Sequence, residues 1–372
     1  MFTSRLNALA LAALTMTVLL LAACGGGESP RPATTKPPTK QTVRTVFDVA
    51  YEQDADGTRQ ALTVYAPAKG GPWPTAVMIH GSGNSRLDQW ASSVASRGVV
   101  VFVPYWPDMA PWPNAKAYHA DVASITGRLA CAVRFARAKA ERYGGDPELL
   151  TLFGWSAGAN LASVIAFADP PVSEGCAVTS GAIVPDNLVL FDGDWLLYHG
   201  WWWDDLLRED PSVLETLVPW SGLESGKRMP VHVLDSNDPS GCVQVADKAV
   251  WLALRDPEGK VSQTLDRLGA LDDGQLCLHE VEQFMYERLK TLGHEVTYRV
   301  LPGSTHEYLS EAALRSSPTR SSRTPDQPQR ASQGARPPGA RSRVFPSRLG
   351  SRVLAMQKVE GSSLFIRFLK PP

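Results

Sequence analysis

The chain has 372 residues, 44% of them hydrophobic, and a formal net charge of −1. The hydrophobic fraction is ample for a sizeable core, and the length suits one large α/β domain as well as two smaller domains. The near-zero charge gives no reason to expect nucleic acid as a partner.

The N-terminal residues 1–23 have the pattern of a lipoprotein signal peptide. Arg5 supplies a short positive region, residues 6–21 are almost all apolar, and a Leu-Ala-Ala-Cys sequence ends at Cys24. This sequence matches a bacterial lipobox, in which cleavage leaves the cysteine as a lipid-modified N-terminus. Residues 24–42 would then be the lipidated cysteine and a flexible linker. An uncleaved membrane anchor is the alternative, and either predicts an exported protein tethered to the bacterial cell envelope.

Four further cysteines are Cys131, Cys176, Cys242 and Cys277. An even number of cysteines in an oxidising compartment suggests two disulfides, for which three pairings are possible. We favour Cys242 with Cys277, which would staple an insertion, and Cys131 with Cys176, which would tie a helix to a strand edge. Free buried cysteines are the alternative.

Hydrophobic patterning predicts alternating strands and helices across one domain, residues 43–315. The predicted strands are residues 43–51, 61–65, 75–79, 99–103, 149–153, 178–184, 231–234 and 295–301. The predicted helices are residues 87–96, 118–143, 159–166 and 280–292. This alternation indicates a mostly parallel sheet built from βαβ units.

Two segments depart from this alternation. Residues 185–229 are irregular and rich in tryptophan, which suggests a cap-like insertion. From about residue 316 to residue 372, arginine, proline and serine dominate. Such a composition has little to bury, so this tail is expected to be disordered or an aberrant C-terminus.

The pentapeptide Gly154-Trp155-Ser156-Ala157-Gly158 follows a predicted strand and precedes a small-residue helix. Strand, sharp turn and helix form the setting of the G-x-S-x-G nucleophile elbow, which raises the serine hydroxyl above the sheet. Glycines are needed on both sides because strand and helix nearly touch there. An ordinary glycine-rich turn is the alternative, and the flanking elements favour Ser156 as a nucleophile.

A serine nucleophile needs a base and a group that orients this base. Of the seven histidines, His306 has the best placement, on the loop after predicted strand 295–301. The loop after strand 231–234 supplies the acid: Asp238 is the first choice, and Asp235 at the strand's end is the second. A turn-forming role is the alternative for either aspartate.

Acyl transfer also needs amides that bind the developing oxyanion. The sequence His80-Gly81-Ser82-Gly83 follows an early strand, where a glycine-rich loop can turn its amides into the site. We expect the amide of Ser82 or Gly83 to join that of Ala157. Another tight turn after a strand is the alternative.

Three tryptophans are candidate substrate-binding residues. Trp106 and Trp112 follow a predicted strand on the side where ligands of open α/β sheets bind, and Trp155 is next to the nucleophile. Aromatic faces suit acyl chains, aromatic acids and sugar rings equally. The alternative is that such tryptophans only pack a cap.

Together, the His80 loop, the pentapeptide around Ser156, Asp238 and the Pro-Gly-Ser-Thr-His sequence ending at His306 resemble the α/β-hydrolase superfamily. Within it, residues 71–81 and 156–162 are similar to the dienelactone-hydrolase-like and acetyl- or feruloyl-esterase (BD-FAE-like) branch. The resemblance covers roughly residues 45–312. It implies an α/β-hydrolase fold with helices on both faces of the sheet, and carboxylic-ester hydrolysis with no metal or organic cofactor.

Three features depart from that branch. The nucleophile is serine where dienelactone hydrolases carry cysteine, which favours an esterase over a lactonase. Residues 239–280 are longer than the usual loop, and the tail after residue 316 matches nothing in the family.

The sequence thus predicts a serine hydrolase that cleaves small-molecule or glycan esters through a Ser156–Asp238–His306 triad and an acyl-enzyme. Two other classes stay open at this point. One is a catalytically silent scaffold that acts as a surface binding module. The other is an acyltransferase or peptidase with the same triad.

Overall fold

The computed structural model describes residues 40–82, 87–107, 112–198, 202–225, 227–256 and 259–307. The signal peptide, Cys24, most of the linker, Gly83 and the tail at residues 316–372 lie outside the described residues.

Apolar runs and alternating segments form ten strands in the part of the chain that the structure describes. They are β1 (Val43–Gln53), β2 (Arg59–Pro67), β3 (Trp73–Ile79), β4 (Val100–Pro104), β5 (Gly145–Trp155), β6 (Asn187–Phe191), β7 (Val231–Asp235), β8 (Cys242–Gln244), β9 (Gln275–Cys277) and β10 (Val296–Val300). Eight of them make one sheet in the order β1-β2-β4-β3-β5-β6-β7-β10. Strand β2 runs antiparallel to β1 and β4, and the pairs from β4 through β10 are parallel.

Helices connect the parallel strands. They are α1 (Leu87–Ala95), α2 (Ala115–Lys139), α3 (Ala157–Ser163), α4 (Trp202–Glu209), α5 (Ser212–Leu217), α6 (Trp220–Glu224), α7 (Lys248–Arg255), α8 (Lys260–Leu268) and α9 (Leu278–Thr291). Among the described residues, none of them is both long and apolar enough to cross a membrane.

The central strands are covered on both faces, which explains their continuous apolar sequences. One face packs against α1 through alternate side chains such as Met78, Phe153 and Phe191. The opposite face supplies Val77, Leu152 and neighbouring side chains to a larger core with α2, α3 and α9. The mostly parallel sheet with helices on both faces is therefore confirmed.

The strand before β7 differs from the prediction. Residues 178–184 form no strand, and β6 instead comprises Asn187–Phe191, paired with both β5 and β7. The earlier segment is interrupted by Gly181 and is largely exposed, whereas Leu188 to Phe191 are fully buried. The sheet therefore takes the first residues of the predicted insertion, and the part that leaves the sheet begins after Phe191.

Both favoured disulfides are confirmed. Cys131 of α2 bonds to Cys176, and Cys242 bonds to Cys277. The second pair joins directly opposite residues of the small β8–β9 sheet. Residues 239–280, the segment that is longer than the usual loop of the family, thus contain a stapled two-stranded sheet together with α7 and α8. This staple lies between the loop after β7 and the start of α9.

Candidate active site

Ser156 lies on the sharp turn between β5 and α3, with φ = 55° and ψ = −130°. A positive φ is uncommon for a residue with a side chain, and such strain is typical of functional sites. A Cβ on Gly154 would be 2.2 Å from the carbonyl oxygen of Gly158, and one on Gly158 would be 2.3 Å from that of His80. Only glycine fits at these two positions, as the elbow motif requires.

His306 contacts the nucleophile. Its Nε2 lies 3.1 Å from Ser156 Oγ, and its side chain is 26% exposed. The carbonyl oxygen of His306 accepts a 2.8 Å hydrogen bond from the indole nitrogen of Trp155. The structure therefore brings together the predicted nucleophile and base from positions 150 residues apart in the chain.

The glycine-rich loop after β3 borders the nucleophile. A Cβ on Gly81 would lie 2.8 Å from Ser156 Cβ, so this glycine lets the loop approach the serine. Ala157 is the first residue of α3, where backbone amides have no partner inside the helix. Ser82 is exposed beside Gly81, and Gly83 lies outside the described residues. The structure thus places Ala157 and Ser82 on the two chain segments that flank Ser156.

Asp238, the predicted acid, contacts His306 through its main chain. Its Oδ2 accepts a 3.0 Å hydrogen bond from the amide of His306, and its Oδ1 accepts from the amide and hydroxyl of Ser240 at 2.9 and 2.7 Å. Burial acts to raise the pKa of Asp238, but these hydrogen bonds outweigh it and hold the pKa below its usual range. Asp238 is therefore an ionised anchor for the loop that carries His306.

Asp235, the second choice, faces another direction. Its Oδ2 accepts a short hydrogen bond from the hydroxyl of Tyr298, and its Oδ1 accepts from the amide of Asn237. Burial raises the pKa of this fully buried carboxyl. Asp235 therefore joins the end of β7 to β10.

A carboxylate that the sequence did not single out faces the ring of His306. Asp192, directly after β6, places its Oδ2 3.4 Å from His306 Nδ1, and its side chain is 0% exposed. Its other oxygen accepts a 2.9 Å hydrogen bond from the amide of Ser236. The signal for it was present as an aspartate after the apolar run 188–191, but the strand had been assigned to residues 178–184.

Close to Asp192 and Asp235 is another buried acid, Glu282 of α9. Its Oε1 accepts a 3.0 Å hydrogen bond from the indole nitrogen of Trp195. Burial raises the pKa of Glu282 well above its usual range, and the charges of Asp192 and Asp235 raise it further. Within the described ranges, no group of His, Cys, Asp and Glu side chains has an arrangement that could hold a metal ion.

Residues 62–172 match the family model described as BD-FAE. The sheet order, with its antiparallel second strand and a strained serine between β5 and α3, decides the fold class. The chain has the α/β-hydrolase fold. The predicted fold class and the predicted resemblance to the BD-FAE branch are therefore confirmed.

Solved esterase structures are similar to this chain. Est2 from the Planctomycetes species Thermogutta terrifontis, bound to propionate, is 17% identical, over 72% of this chain and 85% of that chain, with a TM-score of 0.43. Esterase B from Lactobacillus rhamnosis HN001 is 18% identical, over 79% and 82%, with a TM-score of 0.43. A truncated carbohydrate esterase from gut microbiota is 16% identical, over 75% and 95%, with a TM-score of 0.46. At these identities the likeness concerns the fold alone. No curated protein matches the chain.

Two of the three candidate substrate-binding tryptophans are buried. Trp106 is 2% exposed and stacks on His80 at a centroid distance of 4.9 Å. Its indole nitrogen donates to the carbonyl oxygen of His80, and its amide donates to His80 Nε2. Trp155 is 1% exposed and holds the carbonyl of His306. Both tryptophans thus brace loops next to the nucleophile, and a substrate contact of either one stays a prediction.

Trp112 is partly buried. Its indole nitrogen donates a 2.9 Å hydrogen bond to Asp121, and its ring packs against Tyr118 and Trp203. Trp203 and Trp195, from the segment after β6, are also buried. These contacts favour the alternative that the tryptophans pack the insertion, and a substrate contact of Trp112 stays a prediction.

Proposed function

We propose that the protein is a carboxylic-ester hydrolase in which Ser156 attacks the ester carbonyl and His306 accepts the serine proton. The 3.1 Å contact between Ser156 Oγ and His306 Nε2 carries this proposal. A serine hydroxyl is a poor nucleophile until an adjacent base takes its proton, and this distance permits that transfer. The BD-FAE match over residues 62–172 supports an ester as the substrate.

The amides around the nucleophile would stabilise the tetrahedral intermediates. Ala157 begins α3, where the helix dipole favours negative charge, and the loop after β3 approaches Ser156 through Gly81. We therefore propose the amide of Ala157, with that of Ser82 or Gly83, as the oxyanion hole. Loss of one such donor typically costs about 2.7–4 kcal/mol of transition-state stabilisation.

Both chemical steps follow from these positions. In acylation, the proton from Ser156 moves to His306 Nε2 and then to the departing alcohol, which leaves an acyl-serine. In deacylation, water gives a proton to the same nitrogen and attacks the acyl carbon. The bond from the acyl carbon to Ser156 Oγ then breaks, Oγ takes the proton back from His306, and the free acid leaves. Asp238 holds the main chain of His306 through its 3.0 Å contact, so the ring stays beside the serine through both steps. The three predicted residues Ser156, Asp238 and His306 therefore act together in this proposal, with Asp238 bonded to the main chain of the histidine.

A fluorophosphonate probe tests this proposal. The full chain should lose esterase activity in step with labelling of one residue, and peptide mapping should place the label on Ser156. Ser156→Ala should not take the label, whereas Ser221→Ala should take it fully, because Ser221 is an exposed residue of α6 whose hydroxyl donates to Glu215. An unlabelled wild-type chain would instead support a silent binding scaffold.

The proposed substrates are small-molecule or glycan esters. A panel of acetyl, longer acyl and feruloyl esters, with and without a sugar alcohol, identifies the acyl and alcohol preference. Added alcohol or amine acceptors separate hydrolysis from acyl transfer, since a transferase gives mainly the new ester or amide.

We further propose that the chain is exported and anchored in the bacterial cell envelope through a lipid on Cys24. The Leu-Ala-Ala-Cys sequence supports this, as do the two disulfides of the described domain, since disulfides persist in oxidising compartments. An alkyne fatty acid should label the wild-type chain in a bacterial host and move it to the detergent phase. Cys24→Ser should take no label. Equal labelling of both chains would contradict the proposal.

A further inference from the structure

We propose that Asp192 is the positioning residue for the imidazole ring of His306, and that Asp238 positions the main chain of the same histidine. The inference rests on the proposed esterase function. It assigns to the residue after β6 the ring contact that the sequence predicts for a residue after β7.

The carboxylate oxygen of Asp192 and the ring nitrogen of His306 that face each other make no other polar contact in the described part of the chain. Asp192 Oδ2 and His306 Nδ1 lie 3.4 Å apart, and neither has another hydrogen-bond partner among the described residues. The opposite ring nitrogen, Nε2, faces Ser156 Oγ. A proton held on Nδ1 by a carboxylate leaves Nε2 free to accept from the serine. Such contacts are often long without substrate and tighten in the reacting complex.

Asp192 is rigidly supported. Its amide donates to the carbonyl oxygen of Leu234 at 3.2 Å, and its Oδ1 accepts from Ser236 at 2.9 Å. The preceding residue, Phe191, accepts a 2.9 Å hydrogen bond from the amide of Ser156. Asp192 itself has φ = 50°, a left-handed conformation that aspartate tolerates better than most residues. The carboxylate and the nucleophile therefore stand on one hydrogen-bonded support.

Asp238 is occupied by other donors. Its two oxygens accept three hydrogen bonds, two from Ser240 and one from the amide of His306. The bonds from Ser240 order the loop after β7, and the bond from His306 joins this loop to the loop after β10. This geometry suits an anchor of the main chain, while the ring faces Asp192.

The other ionisable groups near Asp192 come from four elements. Asp235 of β7, Glu282 of α9 and Tyr198 of the segment after β6 lie close enough to feel its charge. The fourth is Tyr298 of β10, which reaches this group through Asp235, and Asp238 contacts only the other partner, His306. Asp235 accepts from Tyr298, and burial favours the neutral forms of Glu282 and Tyr198. The carboxylate that meets the ring edge is that of Asp192.

The test compares two isosteric changes in the full chain, Asp192→Asn and Asp238→Asn. Asp192→Asn should lower kcat by about 10⁴-fold at neutral pH, because an amide does not hold the productive tautomer of His306. The acidic limb of its kcat/KM profile should move to lower pH, because a negative charge beside the imidazolium has been removed. Asp238→Asn should lower kcat by less than about tenfold, since an amide oxygen can still accept from the His306 amide. The acidic limb of its kcat/KM profile should stay at the wild-type pH.

Asp235→Asn is the matched control for burial. It removes an equally buried carboxyl that bonds to Tyr298. Its acidic limb should not move. Near-UV circular dichroism checks that each variant keeps its packing.

A proton spectrum gives a readout that needs neither substrate nor a folded Asp192 variant. A low-field signal from a histidine N–H bound to carboxylate should be present in the wild type and persist in Asp238→Asn. Its loss in Asp238→Asn, or a larger kcat loss there than in Asp192→Asn, would overturn the proposal. If Ser156→Ala keeps full activity, the proposed function fails, and the spectrum still decides the Asp192 contact.

Discussion

Ser156→Ala is expected to lower kcat for a p-nitrophenyl ester by about 10⁶-fold, with little change in KM. The serine oxygen forms the bond to the acyl carbon. His306 contacts this oxygen, and Gly81 lies beside the Cβ of Ser156. Alanine removes the nucleophile and leaves the ester-binding surface intact. Steady-state kinetics with a burst measurement checks both the kcat loss and the disappearance of the acyl-enzyme phase.

His306→Ala should cost about as much, and the Ser156→Ala/His306→Ala double variant little more than either change alone. Residues that act as one unit are strongly non-additive, because the proton acceptor has no function once the hydroxyl is gone. Losses that multiply in the double variant would mean that Ser156 and His306 act independently. That outcome would contradict the role assigned to their 3.1 Å contact.

Gly158→Ala is expected to lower the free energy of unfolding by about 3 kcal/mol, because the added methyl overlaps two consecutive main-chain carbonyl groups. Its Cβ would lie 2.3 Å from the carbonyl oxygen of His80 and 2.5 Å from that of Ile79. To relieve this overlap, α3 must move away from the loop after β3, which separates Ala157 from the proposed oxyanion loop. The variant should therefore unfold at a lower urea concentration and hydrolyse esters with a lower kcat.

Gly293→Ala is the control for backbone conformation. Gly293 has φ = 80°, and nothing lies within 4 Å of its ideal Cβ position. The left-handed conformation alone should cost about 1–2 kcal/mol, and kcat should be unchanged because the residue follows α9. A Gly158→Ala variant as stable as Gly293→Ala would show that the elbow can accommodate a side chain.

The two aspartates beside His306 show that the sequence can indicate the type of active site without showing which side chains are in contact. Local patterning located Asp238, since an aspartate before proline in a loop after an apolar run is visible in the sequence. Which carboxylate oxygen contacts which nitrogen of His306 depends on where β6, β7 and β10 end relative to one another in the sheet. In the structure Asp192 meets the ring and Asp238 meets the amide.

The tryptophans also show that a position in the sequence does not determine the role of a side chain. Their positions suggested a substrate surface, yet Trp106 stacks on His80 and Trp155 supports His306. A tryptophan offers a large apolar face and one donor, and both suit a pocket wall or a loop brace. Burial separates these roles, and burial is a property of the folded chain.

The sequence by itself determined the elements whose signals are local. The strained turn at Ser156 can be predicted from its flanking glycines, because no other residue fits between strand and helix. The alternation of strands and helices predicted the mostly parallel sheet. The even number of cysteines, with the expected export, predicted two disulfides, and the structure has both favoured pairs.

Only the tertiary structure decided that residues 187–191 form β6 and that Asp192 therefore faces His306. Strand choice between two nearby segments depends on which one can pair with both β5 and β7 and be buried on both faces. That pairing is a long-range property, and its free energy is shared among residues that are distant in the chain.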